Sequence, residues 1–367
     1  MKSKSKKPSK KQAPIKRKSK RGELMTSAAT TLLKRDSTLT RSQHFWRSKG
    51  LQAGTSYATT LRASQRVFQN KVLSDAWVKW YKTQPRLAEL PNYVEASKGF
   101  ISGVSKVLKK EPPNWVLLPT KRTVGAIVTV SNAEGTIVQV LEQLQRLALE
   151  ELIVIVHGST DRTLERVRAN AKGQVVLYRD FIGQDVGRAI GTKRSKSDIL
   201  LFLEGNQIVA AEKLIPFIQD IEKGSDIALN NVTPYTPPFS QWDTNTVMKH
   251  FLNVSLNRTD LYVNSLADVP HAISRKALQI VDQSELMVSP KAHTHAVLAG
   301  LRITAPTSVK PAAASTSSKG VKNEASREGI RSGIGDHVEA LQMAMQAKGG
   351  RIDFLDIIRN REVIEGE

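Results

Sequence analysis

From Val124 onward the apolar positions fall into short continuous runs, separated by stretches with helical spacing. "VGAIVTVS" (124–131), "LIVIVHGS" (152–159), "QVVLYR" (174–179), "DILLFL" (198–203) and "DIALNN" (226–231) read as strands. Between them, "GTIVQVLEQLQRL" (135–147) puts Ile137, Leu141, Leu144 and Leu147 on one helical face. "TDRTLERVRANA" (160–171), "GQDVGRAIGTKRS" (183–195) and "AEKLIPFIQDIEK" (211–223) supply the other helices of this alternation. Strands that are apolar almost throughout, with helices between them, predict an α/β fold whose mostly parallel sheet is covered on both faces. In such sheets ligands bind beyond the carboxyl ends of the strands. The loops after Val130, Val156 and Leu203 therefore hold the candidate chemistry.

The pattern is weaker on either side. Residues 23–65 are polar, rich in Ser, Thr and Arg, and predict loose helix. From Gln65 to Leu108 the spacing is helical, with breaks expected at Pro85 and Pro91 and apolar faces at Phe68, Val72, Trp77, Trp80 and Tyr81. "EPPNWVLLPT" (111–120) reads as an extended linker, because adjacent prolines disfavour helix. Beyond the alternating region, "TPYTPPFS" reads as a loop, "HFLNVSLNR" and "SRKALQIV" as helices, and 305–320 as a flexible or crossing segment. "GDHVEALQMAMQAKGG" predicts a helix with Val338, Leu341 and Met345 on one face. The organisation expected is a basic tail (1–22), a helical accessory segment with its linker (23–121) and an α/β domain (122–360).

Composition changes this picture in three ways. The 367 residues contain no cysteine, which excludes disulfides, zinc-thiolate sites and cysteine nucleophiles. No uncharged apolar stretch reaches the length of about 18 residues that a spanning helix needs. The formal charge of +21 is uneven: residues 1–22 carry eleven Lys or Arg and no acid, and no apolar run that would make them a signal peptide. Such a tail is expected to be disordered and to adhere to anionic polymers, either as a solvated tail or as a peripheral contact with anionic membrane or ribosomal RNA. A cytoplasmic location, peripheral at the inner membrane face, follows as an expectation. Specific nucleic-acid recognition is not expected, because no platform of aromatic and basic residues accompanies the charge.

"VTVSNAEGTI", "IVIVHGSTDRTLERV", "GQDVGRAIG" and "DILLFLEGNQIV", in that order and spacing, resemble the family 2 glycosyltransferases, over roughly 122–360. The resemblance implies a GT-A-like nucleotide-binding fold, a nucleotide-diphosphate-sugar donor and transfer of the sugar to an acceptor hydroxyl, the acceptor being unspecified. It implies nucleoside contacts from Ser131, Asn132 and Glu134. His157 stands where the family carries a carboxylate that meets the base; a neutral imidazole both donates and accepts, and the alternative is a plain strand-end histidine. Arg188 would face the diphosphate, guanidinium matching phosphate bidentately, with Asp185 beside it; the alternative is an Asp185–Arg188 surface pair one turn apart.

Two family features depart from the usual pattern. The Asp-x-Asp that holds a divalent metal is here Glu204-Gly205-Asn206, one carboxylate where the family has two. A weak Mg or Mn site, dependent on bound donor, is the expectation, with Asp336 or His337 as a further contact; the alternative is that Asp336 caps the last helix. The Glu-Asp pair that supplies the general base is missing from "SELMVSPKAHTHAVLAGLRI". Asp268 and Glu285 are the candidate bases, with His293 and His295 nearby. Four readings follow: an active transferase, a relative that keeps the fold without catalysis, a nucleic-acid-binding protein and a nucleotidyltransferase.

Overall fold

The computed structural model describes residues 39–61, 68–87, 89–311, 324–352 and 354. The basic tail 1–22 lies outside the described residues. Three helices open the described chain: α1 (Arg41–Thr60), α2 (Asn70–Tyr81) and α3 (Leu90–Leu108). Pro91 does not break α3 but starts it, in the first turn where a missing N–H costs nothing. The alternating region then gives β1 (Val124–Val130), α4 (Ile137–Gln145), β2 (Glu151–His157), α5 (Thr163–Asn170), β3 (Gln174–Tyr178), α6 (Gln184–Arg194), β4 (Ile199–Glu204), α7 (Ala211–Glu222) and β5 (Ile227–Asn230). After it come α8 (Thr244–Ser255), β6 (His271–Ser274), α9 (Arg275–Ile280), α10 (Ser289–Leu298), β7 (Ile303–Thr307) and α11 (Glu324–Lys348).

The strands form one sheet in the order β3-β2-β1-β4-β6-β5-β7. Only β6 runs against its neighbours; it pairs antiparallel with β4 and with β5. Alternate residues of β1 point into opposite layers, as a period of two requires. Ala126, Val128 and Val130 join the layer built by α4 and α7, while Ile127 joins the layer built by α6, α9 and α10. The first layer extends without interruption into α1–α3 through Trp77, Tyr93 and Phe100. The buried Tyr93 hydroxyl accepts from Trp77 Nε1 (2.9 Å) and donates to the carbonyl of Leu117 (2.7 Å). The stretch read as a linker is thus packed: Val116, Leu117 and Leu118 are buried, and Val116 bridges to Leu147.

Two further expectations need correction. The last helix begins at Glu324, so Asp336 lies inside it and caps nothing. Its inward residues are His337, Ala340 and Ala344, while Val338 and Met345 are exposed. The small alanines let the helix approach α8, and Leu252 of α8, with Leu256 just after it, completes that cluster. The end of strand β7, from 305 to 307, also falls within the stretch read as flexible or crossing; its Pro306 suits an edge position, where one ladder donor is dispensable.

Candidate active site

The carboxyl ends of β1, β2, β4 and β5 and the entry to β6 share one edge of the sheet, because β6 alone is reversed. The loops after β1 and β2 are fastened to each other. Asn132, at φ 46°, accepts from the Thr160 amide through Oδ1 (2.9 Å), and its own amide donates to Ser159 Oγ (3.2 Å). Glu134 Oε2 accepts from the Arg162 amide (3.2 Å), and the Glu134 amide donates to Asp161 (3.1 Å). Ser131 Oγ reaches the carbonyl of Gly158 (3.5 Å). Burial pushes the Asp161 carboxyl up, but hydrogen bonds from Thr163 and from backbone amides outweigh it and hold its pKa below the usual value. The polar groups expected at the nucleoside therefore hold the rim of the crevice in shape.

His157 ends β2 fully buried, and neither ring nitrogen has a hydrogen-bond partner. Burial lowers its pKa, with the neighbouring Gln184 side chain pulling the other way. Phe181 lies against the imidazole, ring centres 5.0 Å apart, and is itself 67% exposed. Gly158, at φ 54°, makes this closure possible: a side chain there would meet the Phe181 backbone at 2.9 Å.

Helix α6 places Arg188 in the centre of the crevice, 4% exposed. Its guanidinium binds two carboxylates at once, Asp185 at 2.6 Å and Glu204 at 2.9 Å. It also reaches the carbonyls of Leu266 (3.5 Å) and Ala267 (3.4 Å), which brings the loop before β6 against it. The Asp185–Arg188 pair exists, then, but buried and shared with Glu204. Gly187 and Gly191 let α6 lie close on the sheet, where a side chain would press into Thr129 and Ile127.

The turn after β4 is pinned. The Gly205 amide donates to the Thr129 carbonyl (2.9 Å), and Thr136 Oγ1 donates to the Gly205 carbonyl (2.7 Å). A side chain at Gly205 would strike Val130, so glycine is required between Glu204 and Asn206. Asn206 is exposed. Among the described residues, no group of three or more His, Asp or Glu gathers as a metal centre. With the Glu204 carboxylate bound to Arg188 and Asn206 neutral, these residues do not fit a resident metal ion.

Asp268 precedes β6. Its Oδ1 pairs with Lys249 of α8 (2.7 Å), and its Oδ2 is buried without a partner. The Asp268 carbonyl lies 2.9 Å from Nδ1 of His271, whose ring stacks on Phe202. Burial, with Arg188 nearby, lowers the His271 pKa to about 3. On α11, burial and the nearby carboxylates of Asp185 and Glu339 raise the Asp336 pKa. His337 is buried with Nδ1 2.7 Å from the Gly333 carbonyl; burial lowers its pKa, the Gly333 bond raises it, and Lys249 and Asp268 act in opposite senses. Asp185, Arg188, Glu204, Asp268 and the Asp336–His337 turn of helix are thus one charged neighbourhood. Glu285 is not bonded into it; its carboxylate pairs with His295 (2.6 Å). His293 is buried against Asn253 (2.9 Å), its pKa lowered to about 4 by burial and by Arg258 and His337. Phe181 and Lys249 were not singled out from the sequence; a lone lysine in the apolar rhythm of "MKHFLNV" was the available signal for the second.

The sequence profile of Glycosyl transferase family 2 matches residues 126–280. Among curated proteins, no sequence matches significantly. Among solved structures, glucosyl-3-phosphoglycerate synthase from Mycobacterium tuberculosis, crystallised with Mn2+, UDP-glucose and phosphoglyceric acid, is similar at 17% identity and a TM-score of 0.45, covering 60% of this chain and 80% of that one. S. aureus TarS (1–349) is similar at 18% identity and a TM-score of 0.36, covering 52% and 59%.

Proposed function

We propose that this chain, which over residues 126–280 is a family 2 glycosyltransferase, moves a sugar from a nucleotide-diphosphate donor to an acceptor hydroxyl in the crevice around Arg188. The observation that carries the reading is the buried Arg188 guanidinium at the carboxyl edge of the sheet, held against the loop that carries Asp268, whose Oδ2 has no partner. In this reading the diphosphate displaces Glu204 or Asp185 from Arg188, whose fork suits phosphate oxygens. The nucleobase reaches His157 by displacing Phe181. Asp268 takes the proton that the acceptor hydroxyl loses as its oxygen bonds to the anomeric carbon. The sugar–phosphate bond breaks with its electron pair leaving on the diphosphate. Lys249 positions Asp268. Asp268→Asn should lower kcat by roughly 10²–10⁴-fold, the range for a lost general base, while donor affinity holds. Equal turnover would remove Asp268 from the reaction.

A divalent cation belongs to this reading only as a companion of the donor's phosphates, at Glu204 with Asp336 or His337. The direct test is thermal unfolding with UDP-, GDP-, CDP- and dTDP-sugars, each with manganese and with chelator. A ligand at 100 times its Kd adds about 2.7 kcal/mol, an easily read shift. No shift with any donor would overturn the proposal. Equal shifts and turnover in chelator would leave Glu204 as the partner of Arg188 alone. A second reading, a binding protein without turnover, draws on the ion pairs that occupy Arg188; donor binding without sugar release or transfer would favour it. The proposal also places the chain in the cytoplasm, with tail 1–22 on the inner membrane face, and what supports this is the tail's charge.

A further inference from the structure

Between β5 and α8 the chain lays an unusual surface over the same edge of the sheet. Phe239 is 71% exposed and Tyr235 43% exposed. Trp242 is half-buried and stands edge-on to Phe239 (4.9 Å), His250 (5.3 Å) and Tyr262 (5.5 Å). The rings are fixed in place. Trp242 Nε1 donates to the Pro237 carbonyl (2.8 Å). Tyr262 sits at φ 53°, a conformation rare for a bulky residue, and Asn253 Nδ2 holds its carbonyl at 3.0 Å. An edge-to-face contact covers at most one face of a ring, so the largely exposed Phe239 ring keeps a face free for a ligand. An apolar aromatic patch left open beside a site marks a binding surface.

Charge narrows what it binds. The chain has 55 Lys and Arg and 34 Asp and Glu, yet residues 227–242, "IALNNVTPYTPPFSQW", contain none. Anionic lipid and nucleic acid are recognised through Lys and Arg, which this stretch lacks. Its polar groups are neutral: Asn, Thr, Tyr, Ser and Gln. A pyranose ring matches both properties, with an axial C–H face for the negative face of an aromatic ring and a rim of hydroxyls for neutral donors and acceptors. The surface is also continuous with the reaction centre, since Lys249, the residue before His250, holds Asp268.

We infer that the Phe239–Trp242–Tyr262 surface is an acceptor subsite that stacks a neutral saccharide and leads its hydroxyl toward Asp268, so that the acceptor is itself a glycan. The acceptor role rests on the transferase reading above; the saccharide binding does not. The test is titration calorimetry of the full chain, without donor, against cello-, malto- and chito-oligosaccharides. At least one series should bind, and Phe239→Ala, which removes an exposed ring and keeps the fold, should bind it roughly five- to tenfold more weakly. The same variant should keep the thermal shift given by the donor and any binding to phosphatidylserine vesicles. Absence of binding to all three series, or equal binding by Phe239→Ala, overturns the inference, as does loss of vesicle binding with no saccharide bound. Saccharide binding that depends on Phe239 in a protein that binds no donor leaves the surface standing and removes the transferase reading instead.

Discussion

Taking away the Arg188 side chain would leave Asp185 and Glu204 as two mostly buried carboxylates with no cation between them. Breaking a buried ion pair from one side costs about 3–5 kcal/mol; because both carboxylates keep some water, Arg188→Ala should cost about 2–3 kcal/mol in urea unfolding. Glu204→Gln in the same protein should return part of that loss, since one stranded charge is gone. Wild-type stability for Arg188→Ala would mean that the pairs do not form. His271 and His293 give a second residue-level expectation. Both are buried neutral, with pKa values lowered to about 3 and about 4. Below the ordinary value of 6.5 the unfolded chain takes up protons that the native state refuses, so stability falls as pH drops from 6.5 toward 4. The slope is about 1.4 kcal/mol per pH unit for each histidine. Unfolding midpoints between pH 7 and 4.5 should show it, and His293→Gln should flatten it; an unchanged slope would assign the acid lability to other groups. The positions of Glu204 and Arg188 were legible in the sequence because each belongs to a local motif at a strand or helix end. What Arg188 touches was not, since its other contacts, Leu266, Ala267 and Ser289, lie far along the chain.

The alternating strands and helices from 124 to 231 were readable because large apolar residues make their period visible. Helix α1 was expected only as loose helix, for the opposite reason. Its buried positions are Trp46, Gly50, Gly54 and Ala58, a stripe with almost no apolar signal. Against it α3 presents Gly99 and Gly103, and the two backbones meet: a side chain at Gly50 would strike the Ala96 carbonyl, at Gly54 that of Phe100, and at Gly99 that of Arg47. Hydrophobic periodicity cannot report an interface made by leaving side chains out. Gly54→Val should therefore separate the helices and cost about 3 kcal/mol, the upper range for overpacking. Gly135→Val is a fair comparison, because no atom lies within 4 Å of that position. Equal unfolding midpoints for the two variants would contradict the close approach.

For the molecule as a whole, about half of the net charge lies outside the described residues, eleven of the 21 excess positive charges falling in residues 1–22. Tail 1–22 brings eleven positive charges and no apolar partner, so ordering it would cost entropy with no compensating burial. Its removal should leave the melting temperature unchanged and weaken adhesion to anionic vesicles, most at low salt; unchanged adhesion would move the contact elsewhere. The sheet, by contrast, joins distant parts of the chain. Strand β6 stands between β4 and β5 although it follows both, and the other neighbour of β5 is β7, later still. On the ribosome, β5 emerges with no strand to pair with, and β4 presents an open edge until residue 274 has been made. A nascent chain in which β5 has emerged but β6 has not would thus display unpaired strand edges on both β4 and β5, an invitation to associate with its neighbours. The reversed strand that brings Asp268 to the crevice leaves the centre of the sheet open until late in translation.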